Sequence, residues 1–394
     1  MTPSSNVLVM QSGGVTPVMN RSLYGVVRES AAYKALGSVY GAVHGLEGLV
    51  AGRLVDLGAC SKAALARVAR TPGGALGSTR RKLRPNDIDP IIDAMKRHGI
   101  RYCLVIGGND SAETGHTLAR EARSAGYELS VMLVPKTIDN DLVLTDHCPG
   151  FGSAARFVAL ATMGAGRDAE AMGEASPVTI IEVMGRDSGW LAASSALAKR
   201  DERDAPHFIG VPEVPIEETL FLDRMEEAYE RFGFAVAVVA ENARGPGGVL
   251  GGEEEPWFVD DFGHPYYDGP ARYLAAQTAR RLKVRVRHEK PGTIQRSLVA
   301  CVSRTDANEA EMVGRAAVRH ALDGHSDEMV TIERTPGARY ASTTGLAPLE
   351  AVAGQVKTLP DSFLNTDASL TTGAFLDYLR PLVGSPLPRF GRLL

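Results

Sequence analysis

Short runs of apolar and often β-branched residues recur along the chain, separated by longer stretches in which apolar positions return with helical spacing. The runs are VLVM (7–10), SVYGAV (38–43), CLVI (103–106), SVMLV (130–134), VTIIEV (178–183), FIGV (208–211) and FAVAVVA (234–240). A half-exposed strand alternates apolar and polar positions, whereas unbroken apolarity over so short a span marks a strand covered on both faces. Alternation of such strands with amphipathic segments predicts an α/β fold with doubly wound, mainly parallel sheets. Ligands in such folds settle beyond the carboxyl ends of the strands. The turns that follow the apolar runs are therefore where chemistry is expected.

The pattern breaks between residues 242 and 270, where ARGPGGVLGGEEEPWFVDDFGHPYYDGP is rich in Gly, Pro and acidic residues and has no period. This reads as a loop insertion with no part in the chemistry. After it come a helical stretch, ARYLAAQTARRL, a basic strand, KVRVRH, and a second α/β section that runs into a Pro-punctuated tail. At 394 residues the chain exceeds what one hydrophobic core usually serves, so a second lobe is expected.

Composition narrows the function classes. With 44% hydrophobic and 23% charged residues the chain reads as a globular soluble protein, and no stretch approaches the length of a membrane span. A net charge of −4 argues against a nucleic-acid scaffold, so any anionic ligand must be met by a local concentration of cations. Cys60, Cys103, Cys148 and Cys301 lie far apart without metal-ligand spacing, and the first residues lack a basic leader. Both point to the reducing cytoplasm.

Seven turns carry candidate chemistry. The first strand ends QSGGVTPVMN and a later one ends GGNDSAETG. A Gly pair lets backbone amides approach an anion, and the helix that follows adds its partial positive charge. Two such turns after parallel strands would form adjacent phosphate cradles, one carrying a carboxylate, Asp110, able to hold Mg²⁺. Between them, TPGGALGSTRRK places Arg80 behind a flexible Gly loop, where a guanidinium can be delivered to a phosphate. PKTIDND (135–141) follows the run SVMLV and puts Lys136 beside Asp139 and Asp141. A carboxylate there can act as general base on a sugar hydroxyl while the cation neutralises a transferring phosphoryl group. The simpler alternative is a charged turn closing a strand, with Lys136 paired to one of the two Asp. Met184, Gly185 and Arg186, then Glu213, then Thr293 and Arg296 in PGTIQRS add groups that suit a phosphorylated polyol.

Taken in order, GGVTPVMN, GGALGSTR, GGNDS, PKTIDND, MGR, PE and TIQR resemble the motifs of the phosphofructokinase family, and CPGFGSAAR, PLEAVAG and YLRPLVG extend the likeness over nearly the whole chain. The resemblance implies a two-lobed phosphofructokinase-like fold. Residues 1–140 would form an N-terminal lobe with the phosphoryl-donor site, 141–350 a sugar-phosphate lobe from which the chain crosses back, and 351–394 a helical extension. ATP-using members carry Gly where this chain has Asp110 and Lys136, so it is most similar to the bacterial pyrophosphate-dependent branch. That implies reversible phosphoryl transfer from pyrophosphate to the 1-hydroxyl of fructose 6-phosphate, with Mg²⁺. Asp139 would be the proton acceptor, with Asp141 beside it. Thr137, Met184, Gly185, Arg186, Glu213, Thr293 and Arg296 would bind the sugar phosphate. Gly14, Arg80, Gly108, Asp110 and Lys136 would hold pyrophosphate and the metal. Arg287, nine residues before Arg296, would be lent to a neighbouring subunit of a homodimer or homotetramer.

The chain departs from the family pattern at three places. Asn109 stands where most members have an Asp beside Mg²⁺, and Pro177 where many have a basic residue. TIQRSLVA also lacks the usual QRGG continuation. Three alternatives follow: an ATP-dependent phosphofructokinase, a phosphotransferase on another sugar phosphate such as sedoheptulose 7-phosphate, and a sugar-phosphate-binding regulator without activity.

Overall fold

A computed structural model describes residues 5–393 apart from 251–254, 262, 264, 338 and 368. Each apolar run becomes a strand, β1 Ser5–Gln11, β2 Leu36–Ala42, β4 Ile100–Gly107, β5 Ser130–Pro135, β6 Val178–Val183, β7 Phe208–Gly210 and β8 Ala235–Ala240, and the short β3 Leu54–Asp56, which no run marked, is added after β2. Four two-residue strands follow, β9 Arg244–Gly245, β10 Gly248–Val249, β11 Phe258–Val259 and β12 Pro265–Tyr266, and then β13 Val286–Glu289, β14 Glu328–Arg334 and β15 Ser342–Pro348.

Two sheets organise the chain. The first has seven strands in the order β15-β14-β5-β4-β1-β2-β3, parallel except at its two outermost pairings. The second is an all-parallel sheet in the order β13-β6-β8-β7. The period of two explains why the runs are uniformly apolar. Val7 and Val9 enter one core and Leu8 and Met10 another, on opposite faces of the first sheet. Val178 and Ile180 likewise part from Ile181 and Val183 in the second. One face of the first sheet is covered by the helices Met19–Ser30 and Arg304–Leu322, which approach closely at two glycines. A Cβ on Gly25 would lie 2.4 Å from the carbonyl oxygen of Glu311, and one on Gly314 would lie 2.2 Å from that of Ser22.

The chain leaves the first sheet after β5, builds the second, and returns through β14, which pairs parallel with β5. KVRVRH itself joins the second sheet as β13, whereas the strands after it, β14 and β15, belong to the first. Beyond 350 the expected helical extension is mostly irregular. The 3-10 turn Asp361–Phe363 and the seven-residue helix Gly373–Leu379 are the helical pieces after residue 352 among the described residues, because Pro360, Pro381, Pro386 and Pro388 interrupt the segment. No helix of the described residues is long and apolar enough to cross a membrane.

Candidate active site

A cleft of about 1310 Å³ opens where the carboxyl ends of β1, β4, β5, β6 and β8 converge. Gly14, Arg80, Asp110, Lys136, Thr137, Asp139, Asp141, Met184, Arg186, Thr293 and Arg296 line it. Six of the seven turns therefore meet in one place although some 280 residues separate the first from the last.

The donor side is built on buried amides. Gln11 and Asn20, both fully buried, accept the backbone N–H groups of Leu76 and Ala75. Gly13 N–H donates to the carbonyl of Thr79, and Ser78 Oγ donates to the carbonyl of Gly13 at 2.6 Å. The Gly loop 73–79 is thereby fixed against the first turn, which sets the root of Arg80. Gly14 lets a guanidinium come close to the turn: a Cβ there would lie 2.9 Å from Arg296 Nη1 and push that side chain aside. Gly108 precedes the helix Asn109–Ser124, and its carbonyl accepts from the N–H groups of Ser111 and Ala112.

PKTIDND is held as a turn from several directions. Lys136 N–H donates to the carbonyl of Gly107 at 3.0 Å, continuing the β4–β5 ladder one step beyond the strand. Asn140 adopts a left-handed backbone with φ 57°, and its side chain accepts from Cys148 N–H and donates to Tyr378 Oη. Thr137 Oγ1 accepts from Asp139 N–H, Ser188 Oγ donates to the Asp139 carbonyl, and Lys357 N–H donates to the Asp141 carbonyl. These bonds consume backbone groups and leave the carboxylates for the cleft.

Lys136 does not close the turn as an ion pair. It is 3% exposed and its Nζ donates to the carbonyl of Gly14 at 2.6 Å, while Asp139 and Asp141 act on it through charge alone. Burial, reinforced by the nearby Arg296, lowers its pKa to about 8, with Asp141 and Asp139 opposing the shift. Burial pushes Asp139 the other way, up to about 7, helped by the carboxylates of Asp141 and Glu241 and opposed by Arg186 and Arg296. Asp141 is raised as well, chiefly by burial. Among the described residues, one side-chain oxygen each of Asn109, Asp139 and Asp141, and one nitrogen each of Arg186 and Arg296, are buried without a hydrogen-bond partner. Groups of this kind rarely stay unpaired in a folded protein, and where they face a cleft, water or a ligand takes them up.

Several expected residues fall outside this convergence. Glu213 does not line the cleft: its Oε1 accepts the backbone N–H groups of Gly189 at 2.9 Å and Leu359 at 2.7 Å, while its Oε2 is buried without a hydrogen-bond partner. Gly185 shapes the turn after β6: its φ of 119° suits glycine, and a Cβ would meet the Ser188 carbonyl. Arg287 lies on β13, an outer strand of the second sheet, and pairs with Asp168 away from the cleft. Glu241, Tyr266 and Asp187 are among the cleft residues that were missed. Glu241, immediately after β8, faces the cleft, and the rule that ligands sit beyond strand ends points to it. Tyr266, from the segment expected to be an uninvolved insertion, lines the cleft too, and no sequence signal marks it.

A metal would find oxygen donors at one corner. No group of three or more His, Cys, Asp or Glu able to hold an ion occurs among the described residues. Asn109 and Asp110 open the helix Asn109–Ser124 on the cleft wall, and the buried amide oxygen of Asn109 is unpaired. Mg²⁺ is commonly held by one or two protein oxygens, waters and the substrate's own phosphates, so this pair fits it.

Comparison with known proteins decides the family. The phosphofructokinase family model matches residues 6–321. This chain belongs to the phosphofructokinase family. It is similar to the pyrophosphate–fructose 6-phosphate 1-phosphotransferase of Rhodospirillum rubrum, 41% identical over 98% of this chain and 96% of the relative. The enzyme of that name from Xanthomonas campestris is 39% identical over 98% of this chain and 93% of the relative. Among solved structures, the pyrophosphate-dependent phosphofructokinase of Nitrosospira multiformis superposes with a TM-score of 0.89 at 34% identity, covering 99% of this chain and 95% of the other. The two sheets of this phosphofructokinase are thus those of the family.

Proposed function

We propose that this phosphofructokinase transfers a phosphoryl group reversibly from pyrophosphate to the 1-hydroxyl of fructose 6-phosphate, giving fructose 1,6-bisphosphate and phosphate. The observation that carries the reading is the buried ammonium of Lys136, set against the first Gly turn and facing Asp139 in a cleft whose donor side also presents Asp110. Phosphoryl transfer asks little covalent chemistry of the protein, and catalysis is mainly positioning and charge stabilisation. Asp139, with a pKa close to neutrality, takes the proton of the sugar hydroxyl. Lys136 meets the charge that develops on the transferring group. The carboxylate of Asp110 occupies space and charge where a nucleotide would need to put a further phosphate, which disfavours ATP.

Arg186, Glu241, Thr293 and Arg296 serve the sugar phosphate, with Met184 held in place by its N–H bond to Gln295 Oε1 at 3.0 Å. Asn109 and Asp110 are the groups that would hold Mg²⁺, which when bound neutralises phosphate charge. Residues 1–140 would then carry most of the donor side, and the segment 141–350 most of the sugar side.

A homodimer or homotetramer is supported by one face. The outer edge of β7 is covered, since Ile209 N–H donates to the Ser369 carbonyl, whereas β13 presents Arg287 and is followed by the exposed apolar side chains of Ile294, Leu298 and Val299. A second copy covering that face would bury these residues and bring Arg287 towards a neighbouring pocket. The four unpaired cysteines suit a cytoplasmic enzyme.

The test is a coupled assay with pyrophosphate and ATP offered separately over a panel of sugar phosphates. Turnover with pyrophosphate and fructose 6-phosphate, and little with ATP, is expected. Preference for ATP, or for sedoheptulose 7-phosphate over fructose 6-phosphate, would refute it.

A further inference from the structure

We infer that Asp260 and Tyr266, on the β11–β12 ribbon, are positioning residues for the phosphoryl donor: they hold one nitrogen of the Arg80 guanidinium and leave its other N–H groups for phosphoryl oxygens. The inference rests on the donor reading given above.

Three observations support it. Arg80 Nη1 donates to both Asp260 Oδ2 and the Tyr266 hydroxyl, and that hydroxyl donates to Asp260 Oδ2 at 3.2 Å, so the three side chains close a triangle. Both contacts use the same nitrogen. A guanidinium carries five N–H donors in a rigid fork, so Nη2 and Nε remain for an anion. Next, the Asp260 side chain is 7% exposed against 32% for Arg80, so the carboxylate sits behind the guanidinium, and Tyr266 reaches the cleft wall. Finally, Arg80 shares the cleft with Arg296 and Lys136, and its charge weakens the hold of each on its proton. Repulsion among three cations favours moving the long side chain of Arg80 out to solvent, and Asp260 opposes that before any donor arrives. Fixing the rotamer during folding removes an ordering cost from binding. The pair spans 180 residues of sequence and ties the ribbon to the loop that follows the first Gly turns.

The experiment combines steady-state kinetics with calorimetric titration of magnesium pyrophosphate and, separately, of fructose 6-phosphate. The proteins are wild type, Asp260→Ala, Tyr266→Phe, Arg80→Ala and the Arg80→Ala/Asp260→Ala pair. Loss of a charged hydrogen-bond partner should lower kcat/KM for pyrophosphate about 10–100-fold in Asp260→Ala and about 3–10-fold in Tyr266→Phe. Sugar-phosphate affinity should stay within about twofold in Asp260→Ala and within about threefold in Tyr266→Phe, whose hydroxyl lies close enough to Arg296 to affect it weakly. On the Arg80→Ala background, Asp260→Ala should add less than about twofold, because the residue acts through Arg80. Tyr266→Phe keeps size and shape, so the inference remains testable if Asp260→Ala folds poorly. Unchanged or improved pyrophosphate use in Asp260→Ala would overturn it, showing that the ribbon shields Arg80 rather than aims it. A decrement that persists without Arg80 would also overturn it. Wild type that ignores pyrophosphate would instead sink the functional reading, which separates the two failures.

Discussion

Replacing Asp139 by Asn should make the protein more stable and nearly inactive, with the stability gain growing with pH. Asp139 is partly buried, its Oδ1 is buried and unpaired, and its pKa is raised from 3.8 to about 7. A carboxyl whose folded pKa lies above its unfolded value binds protons more tightly when folded. The native state is therefore progressively disfavoured as pH rises from about 4 to about 7, and the penalty is constant above that. At about 1.36 kcal/mol per pKa unit the full penalty is on the order of 4 kcal/mol, of which about 2–3 kcal/mol develops between pH 5 and pH 8.5. Asn keeps the shape but carries no charge, so it escapes this slope and retains only the cost of burying an amide. Urea unfolding of both proteins at pH 5 and pH 8.5 should show Asp139→Asn gaining about 2–3 kcal/mol on wild type between the two conditions. Loss of the base should lower kcat by about 10²–10⁴-fold in both directions, while sugar-phosphate binding stays within a few-fold. An equal stability difference at the two pH values would show that the 139 carboxylate is not held against its charge. Near wild-type turnover would show that it is not the base.

Three further outcomes are expected. Asp110→Gly with Lys136→Gly should cut pyrophosphate turnover by about 10²-fold or more and open the donor site to ATP, read by the same coupled assay; unchanged pyrophosphate kinetics would refute the assignment. Arg287→Ala should raise KM for the sugar phosphate about tenfold or more with little change for pyrophosphate, and light scattering should give an oligomer; a fully active monomer would rule out a shared pocket. Asn109→Asp adds a carboxylate beside Asp110 and should lower the Mg²⁺ concentration needed for half-maximal pyrophosphate binding by several-fold in calorimetry; an unchanged requirement would place the ion elsewhere.

What could be seen in the sequence was whatever the strand ends encode locally. AVAVVA is buried at every position because both faces of β8 are packed, and that is why it reads as an unbroken apolar run. The motifs after β1, β4 and β5 meet because parallel neighbouring strands put their carboxyl ends side by side. Long-range pairing left no such trace. Nothing in VDDFGHPYYDGP indicates that Tyr266 would face Lys136 or that Asp260 would find Arg80, 180 residues earlier. Glu213 follows a strand and looked like a ligand group, but two backbone amides from elsewhere in the chain claimed it. EMVTIER carries the pattern of a strand, yet its place beside β5 rather than in the second sheet depends on the return path of the chain.

That return path bears on how the protein is made. β5 delivers Pro135 to the active-site turn, but its open side is filled by β14, which lies some 190 residues further along. A growing chain at about 5–20 residues per second therefore waits roughly 10–40 s with the β5 edge bare. An unpaired, fully apolar strand edge invites pairing with other chains. The nascent protein would be expected to need a chaperone over that interval, and a fragment stopping short of residue 328 should aggregate rather than fold into a half-enzyme.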